Sequence, residues 1–569
     1  PKNGTVILKK DRDFSFDGTV YAGNLHLAGA KFDFDYDMFE LQMNQVDSCI
    51  IFIDDTLAQA DIYGNKPKKI VKTMLRNLSG TLEIDHPMNK SGYISKDYTL
   101  YPKLNCTRKS DVFWDSKSIQ SGAYSREEFS YTLEPFNLDS LDNFMASNLV
   151  FQGELESNGM LPTIKEPLVL MPDNSLGFHI NTGAEGMKAY DGKLTLQGDL
   201  NLDHTGMKSK GDINYLTTQA SSDELTLTPQ MLFGKTTTYT NESNSKANVP
   251  DLTAKQIEVK YKKDKEILIA STLSENVVAY KNEATFQGST YLSPKGIQAN
   301  GNFELIGASI QSKNFNLKSR IILADTSSFF IKNADNSNAL ALKTDNVNSN
   351  VDFDKRKGIF KSNNGETKIE FPANLYICFI DQFTWFMDKS ELELSSSRKA
   401  STDLVIDTDQ EKRKSNFFSI HADQDSLNFL SPYAKYDLKE SRITCNKIDY
   451  IIVADSKVQP DSNYVVINRN ANMQELNRAQ VISNFVTQHH KIFNAKVKIN
   501  GRKDYSGSGD IVFKDENKLE QTIHLNYFGL DATYQTTGSG EITEKQEFWL
   551  SPAYQFQGKF EFFANNPHY

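Results

Sequence analysis

Cysteine is scarce in this chain of 569 residues, with four, at positions 49, 106, 378 and 445. Spaced so far apart, they form no CxxC pair and no zinc-ribbon pattern, and they are too few to frame the chain with disulfides. Cys49 and Cys378 adjoin apolar runs (Ser48-Cys49-Ile50-Ile51 and Tyr376-Ile377-Cys378-Phe379), so the thiols read as buried. Proline (16) and glycine (31) are too few for a collagen-like or proline-rich fibre. Long apolar runs are also missing. The best, Ala373 to Met387, is interrupted by Asp381 and Gln382, and nothing approaches the ~20 apolar residues of a membrane-spanning helix. No GxGxxG, Walker A, GxSxG or HExxH motif is present, so no cofactor and no catalytic residue is assigned. Nor is positive charge in excess. The net charge of −10 offers nucleic acid and anionic lipid no global attractive field.

Aromatic residues are abundant instead: 36 Phe and 24 Tyr lift the aromatic share to 11%, which excludes a disordered chain. The dominant pattern has period two. Phe32-Asp33-Phe34-Asp35-Tyr36-Asp37 alternates strictly, as do Leu194-Thr195-Leu196, Leu200-Asn201-Leu202, Val497-Lys498-Ile499 and Phe560-Glu561-Phe562. Such alternation gives a strand one apolar and one polar face. Turn-type residues recur between the runs at Asp17-Gly18, Asp191-Gly192, Lys295-Gly296, Asn300-Gly301 and Asn500-Gly501, which predicts many short strands. Helical patterning is rare. Ala471 to Ser483 spaces Met473, Leu476, Ala479 and Ile482 like a helix, or equally like a strand and corner after Val465-Val466-Ile467. Lys66 to Arg76 reads as a short helix or a solvated strand.

An internal repeat organises the middle of the chain. Residues 190–227 and 280–317 align without gaps, and nine of 38 positions are identical: Tyr190/Tyr280, Thr195/Thr285, Gln197/Gln287, Gly198/Gly288, Leu202/Leu292, Gly206/Gly296, Gly211/Gly301, Ser222/Ser312 and Leu227/Leu317. The three glycine pairs predict shared corners where a residue without Cβ takes positive φ. Gly23-Asn24-Leu25-His26-Leu27 is a weaker echo of Gly198 to Leu202, and Leu550-Ser551-Pro552 with Gly558 to Glu561 is one of Leu292 to Glu304. Polar stretches at 241–251, 333–338 and 395–401 and the charged 411–414 read as loops. A stacked β-array produces such repeats, each unit burying its apolar face against its neighbours.

Candidate chemistry is sparse. Asp33, Asp35 and Asp37 put three carboxylates on one strand face and are the metal candidate, calcium being the ion that takes hard oxygen ligands. Same-face neighbours on a strand stand ~6.5–7 Å apart, too far for one ion to reach all three unaided, so an acidic solvent face is the competing reading. His421-Ala422-Asp423-Gln424-Asp425 reads as a turn or a His/Asp face, and His489-His490 points to opposite faces of a strand. Gly507-Ser508-Gly509 and Gly538-Ser539-Gly540 read as flexible turns. Lys260 to Glu266 reads as a solvated charged face with Tyr261 partly packed. The aromatic stretch Phe379 to Met387, and Trp549 with the phenylalanines 556–563, read as buried core or as an apolar contact surface.

The strand and glycine rhythm of 190–227 and 280–317, joined by the rung pattern from Phe429 to Leu438 and on to Val453-Ala454-Asp455, resembles long repetitive β-rich envelope proteins of outer-membrane bacteria. It is similar in particular to AsmA/TamB-type proteins, and that resemblance implies a long β-groove that carries lipid across the periplasm. The residues and the resemblance together lead us to expect an all-β chain, an elongated stacked β-repeat (solenoid or β-groove-like) with few or no long helices. Its regions would be 1–189, a tandem-repeat region 190–350, and 351–569. The start at Pro1 leads us to expect a piece of something longer. The expected role is a non-enzymatic scaffold or docking component of a bacterial envelope, with other envelope proteins as partners and no nucleic acid. A periplasmic lipid-binding groove is the alternative, and a polysaccharide-active β-helix enzyme or an adhesin is the second.

Overall fold

The computed structural model describes the chain except residues 56–57, 63–65, 94, 144, 244–245, 334–338, 399–413, 516 and 567–569. The charged 411–413, residues 334–338 of the 333–338 stretch and residues 399–401 of the 395–401 stretch therefore lie outside the described residues. Strands account for 58% of the chain, and among the described residues no helix reaches seven residues. None of the described helices is long and apolar enough to cross a membrane. The alternation works as the sequence predicts. Along Leu194–Asp203, Leu194, Leu196, Leu200 and Leu202 are fully buried while the residues between them stay part exposed. Contacts divide the chain into two compact units. One comprises Pro1–Ser243, Leu252–Val277 and Tyr291–Lys295; the other comprises Asn244–Asp251, Val278–Thr290 and Gly296–Tyr569. Eight of the strands close into a barrel.

Within each unit two kinds of strand alternate. Long strands form antiparallel meanders, and the last strand of a meander then forks. In the first unit, Glu40–Asp54 pairs with Leu78–Glu83 through its first half and with Lys68–Ile70 through its last residues. Thr218–Thr228 forks likewise, to Met231–Lys235 and to Thr238–Asn241. In the second unit, Leu340–Asp352 forks to Lys357–Ser362 and Thr367–Phe371. From that fork short hairpins are laid down in two rows by turns. One row runs Lys357–Ser362, Gln382–Phe386, Glu391–Ser395, Tyr433–Asp437, Arg442–Asn446 and Tyr464–Ile467. The other runs Thr367–Phe371, Tyr376–Ile380, Phe417–Ser419, Asn428–Phe429, Ile451–Val453 and Ser456–Gln459. The apolar faces of the rows meet: Phe371 of one and Tyr436 of the other lie edge to face at 5.0 Å. Phe329, Phe360 and Phe383 stack nearby, with Phe360 and Phe383 only 4.6 Å apart.

The repeat has a structural counterpart in three matched strands. Leu194–Asp203, Gly206–Tyr215 and Thr218–Thr228 correspond to Ala284–Ser293, Gly296–Leu305 and Ala308–Leu317. Tyr190 and Tyr280, which enter them, are both buried at φ +51° and +53°, and each donates its hydroxyl to a backbone carbonyl, of Thr228 at 3.1 Å and of Ile321 at 3.2 Å. The glycines correct the corner reading. Gly206 and Gly296 open strands after tight turns as expected, but Gly198, Gly211, Gly288 and Gly301 lie inside strands. Each sits at an inward-facing position where the strand bends. Gly198 faces Gly211, and the register shifts beside Gly211 and again beside Gly301. At φ +133°, +133°, +147° and +151°, a Cβ on any of the four would lie 2.1–2.2 Å from a carbonyl oxygen of the neighbouring strand. Only glycine lets the two backbones approach so closely there.

The same device corrects other readings. Gly507-Ser508-Gly509 and Gly538-Ser539-Gly540 are strand interiors, not turns; a Cβ on Gly507 would meet the Lys496 carbonyl at 2.1 Å. Gly18 also lies within a strand and faces Gly29 beside a register shift, whereas the echo glycine Gly23 sits in the turn before Leu25–Asp35. The helical spacing over 471–483 gives way to a strand, Leu476–Ser483. It is held between Ser456–Gln459 and His490–Gly501, and irregular registers beside Ala479 mimic helical spacing. Lys66 to Arg76 contains the strands Lys68–Ile70 and Leu75–Arg76. In the aromatic stretch Ile380, Phe383 and Trp385 are core, and Tyr261 is fully buried rather than partly packed.

All four cysteines are free and buried. Burial pushes every thiol up, Cys106 to about 12. At about pH 8, where an exposed thiol is partly ionised, the native chain is therefore expected to leave a thiol reagent unconsumed and to consume four equivalents in denaturant. Fast reaction in the native state would show a core opening that the packing does not. Gly211→Val and Gly301→Val should each lower stability by at least about 1 kcal/mol in denaturant melts, since strain and a backbone clash act together. Gly296→Ala, with open space around its Cβ, should cost less. Equal melts for all three variants would refute the bend assignment.

Candidate functional site

Asp33 and Asp35 stand on the outer face of Leu25–Asp35, and Asp37 follows in the turn. Asp33 pairs with Lys9, and Asp35 accepts the Met38 amide at 2.9 Å. The three do not converge. His421 accepts the Asp423 amide at 3.2 Å and caps a single helical turn. His489 is exposed while His490 is buried, its Nε2 2.5 Å from the Asn566 carbonyl oxygen. Neither arrangement gathers metal ligands.

The residues that do converge are ones the sequence patterns passed over. Among the described residues, the group of three or more His, Cys or carboxylate side chains whose ligand atoms lie within 4.8 Å of one another is Asp173, Asp203 and His204. It is built from two turns in the first unit. Asp203 ends Leu194–Asp203, and His204-Thr205 forms the two-residue link to Gly206–Tyr215. The Asp203 carboxylate accepts the Thr205 amide at 2.7 Å and its hydroxyl at 2.5 Å, the local bond that lets aspartate set a turn. Trp114 donates its indole N–H to the Asp203 carbonyl at 2.7 Å. Behind the turn, the buried Tyr124 hydroxyl accepts the Met207 amide at 3.0 Å and donates to the Leu227 carbonyl at 2.5 Å. Asp173 lies between Leu168–Leu170 and Leu176–Asn181. Its Oδ1 accepts the Ser175 amide at 3.0 Å and hydroxyl at 2.6 Å, and that hydroxyl in turn accepts the His204 amide at 3.1 Å.

This lattice fixes both carboxylates within reach of the imidazole. His204 Nδ1 pairs with Asp173 Oδ2. The ammonium of Lys72 is 3.9 Å from that oxygen and 3.5 Å from His204 Nε2. Two carboxylates thus face one ammonium and one imidazole. Partial burial pushes the Asp173 carboxyl up, but the Ser175 hydroxyl and amide and the His204 ring outweigh it and hold the group below the usual carboxylate range. The one signal available in the sequence was the repeat itself. The second copy has Ser293, Pro294 and Lys295 where the first has Asp203, His204 and Thr205, so the corner is shared and its chemistry is not.

Two other polar clusters have every prominent group engaged. Glu283 bridges Arg320 and Arg356, whose remaining donors reach Asp354 and Asp388 at 3.0 Å. Asp455, Ser456, Tyr505 and Thr536 form a buried network in which the Tyr505 and Thr536 hydroxyls are 2.6 Å apart. Both are structural ties.

Because the folded Asp173 carboxyl lies below its unfolded value, its contribution is complete above the unfolded value and is lost as pH falls through the folded one. Asp173→Asn should therefore lower the melting temperature at neutral pH, and the gap to the parent chain should close in acid below the usual carboxylate range. A gap that persists unchanged in strong acid would contradict the assignment.

No protein-family model matches the chain, and no curated protein matches it.

Proposed function

We propose that this chain is a non-enzymatic β-repeat scaffold of a bacterial envelope, built as an elongated stack of hairpins on which other envelope proteins dock. The observation that carries the reading is the filled interior between the two hairpin rows. Cys378, Ile369, Phe371 and Phe417 of one row, and Phe360, Leu392, Tyr436 and Cys445 of the other, are all fully buried. An interior filled by side chains suits a stacked scaffold and supports that reading over a lipid groove along these rows. The outer faces are polar and laced with cross-strand ion pairs, such as Lys435 with Glu391 and Glu393 at 3.0 and 3.1 Å, as suits a body that stays dispersed while presenting a surface. A concave surface of about 710 Å³ lies over Thr226, Phe233, Lys235, Gln256 and Leu273 and mixes charge with apolar contact, in keeping with a protein contact more than an acyl chain.

The lipid-groove reading draws on the forked topology, in which two rows of hairpins turn apolar faces toward each other as the two walls of a groove would. Mass spectrometry of lipids co-purified from a bacterial envelope separates the two. The scaffold reading expects no stoichiometric phospholipid and a scattering profile unchanged by added detergent. One or more phospholipids per chain, retained through gel filtration, would replace it with the groove.

A further inference from the structure

The turn pair that carries Asp173, Asp203 and His204 holds a donor set that neither the fold nor the scaffold role requires. We propose that these three residues bind a divalent transition-metal ion of the zinc type. Their ligand atoms already lie within 4.8 Å of one another. Tetrahedral coordination at ~2.0–2.2 Å places ligand atoms about 3.4 Å apart, so the ligand atoms need to draw together by at most about 1.4 Å. Each carboxylate has one oxygen committed, Asp173 to Ser175 and Asp203 to Thr205; the second Asp173 oxygen pairs with His204 Nδ1, and the ion would take the place of the proton those two atoms share. One imidazole nitrogen and two single carboxylate oxygens suit zinc, and the partly exposed position leaves a fourth place for water. Calcium, which takes six to eight oxygens, finds too few here.

Two further observations point the same way. The Lys72 ammonium already stands against both Asp173 and His204, so the site attracts a positive charge at its edge. The lysine side chain is 44% exposed and free to swing outward when a doubly charged ion takes its place. In the second repeat copy Ser293 and Pro294 occupy the matching turn between strands of the same length, so neither the aspartate nor the histidine is demanded by the hairpin.

The test is calorimetric titration of the whole, chelator-stripped chain with zinc chloride. One equivalent is expected to bind, to be lost in His204→Ala and to weaken by at least about tenfold in Asp203→Asn. Lys72→Ala, which removes the competing ammonium, should bind more tightly than the parent. His489→Ala should bind as the parent does. If His204→Ala does not fold, the opposite signs expected for Asp203→Asn and Lys72→Ala decide the matter alone. Absence of stoichiometric binding, binding indifferent to Asp203→Asn, or binding weakened by Lys72→Ala would each overturn the proposal, and none of them touches the scaffold reading.

Discussion

The contact on which the rest depends is a backbone-to-backbone approach at the bends of the long strands. A sheet that must face inward on both sides of a fold brings its own inner surface into collision at the crease. Side chains cannot share that crease, so the inner position there is left without a Cβ. Gly198 against Gly211 and Gly288 against Gly301 meet this condition twice with the same spacing. The forks supply two rows, the rows enclose the aromatic stacks, and the polar faces are turned out.

Much of this was legible in the residues, and what was not has a physical cause. Period-two alternation reports which face is buried, and it found the all-β class and most strands. It is silent on which strands pair, because alternation is the same for a neighbour in the same row and a neighbour across the fork. Glycine recurrence revealed the duplication but not its meaning. A glycine that permits a turn and a glycine that permits a crease look alike in sequence, and only pairing separates Gly206 from Gly211. The false helix over 471–483 has a related origin. Irregular registers beside Ala479 shift the buried positions from a spacing of two to a spacing of three, and the result imitates a helical face.

The candidate site was nearly illegible. Asp173 and His204 are 31 positions apart, and no motif joins them. They meet because a turn after Leu168–Leu170 is laid beside the first hairpin of the repeat, which only pairing reveals. The Asp33, Asp35 and Asp37 ladder drew attention for the opposite reason: adjacency in sequence is easy to see, yet on a strand it spreads charges apart. Comparison of the two repeat copies was the available clue, since it shows which residues at a shared corner are optional for the fold.

The fork carries a consequence for how such a chain changes over time. Each hairpin added to one row is answered by the next in the other, and neither alters the crease from which both rows spring. Material can therefore be gained or deleted in matched pairs without disturbing what lies before or after. Descendants of one ancestor would differ in reach by whole steps, as a ladder does when rungs are added, while the chemistry at any single corner drifts independently of its copies.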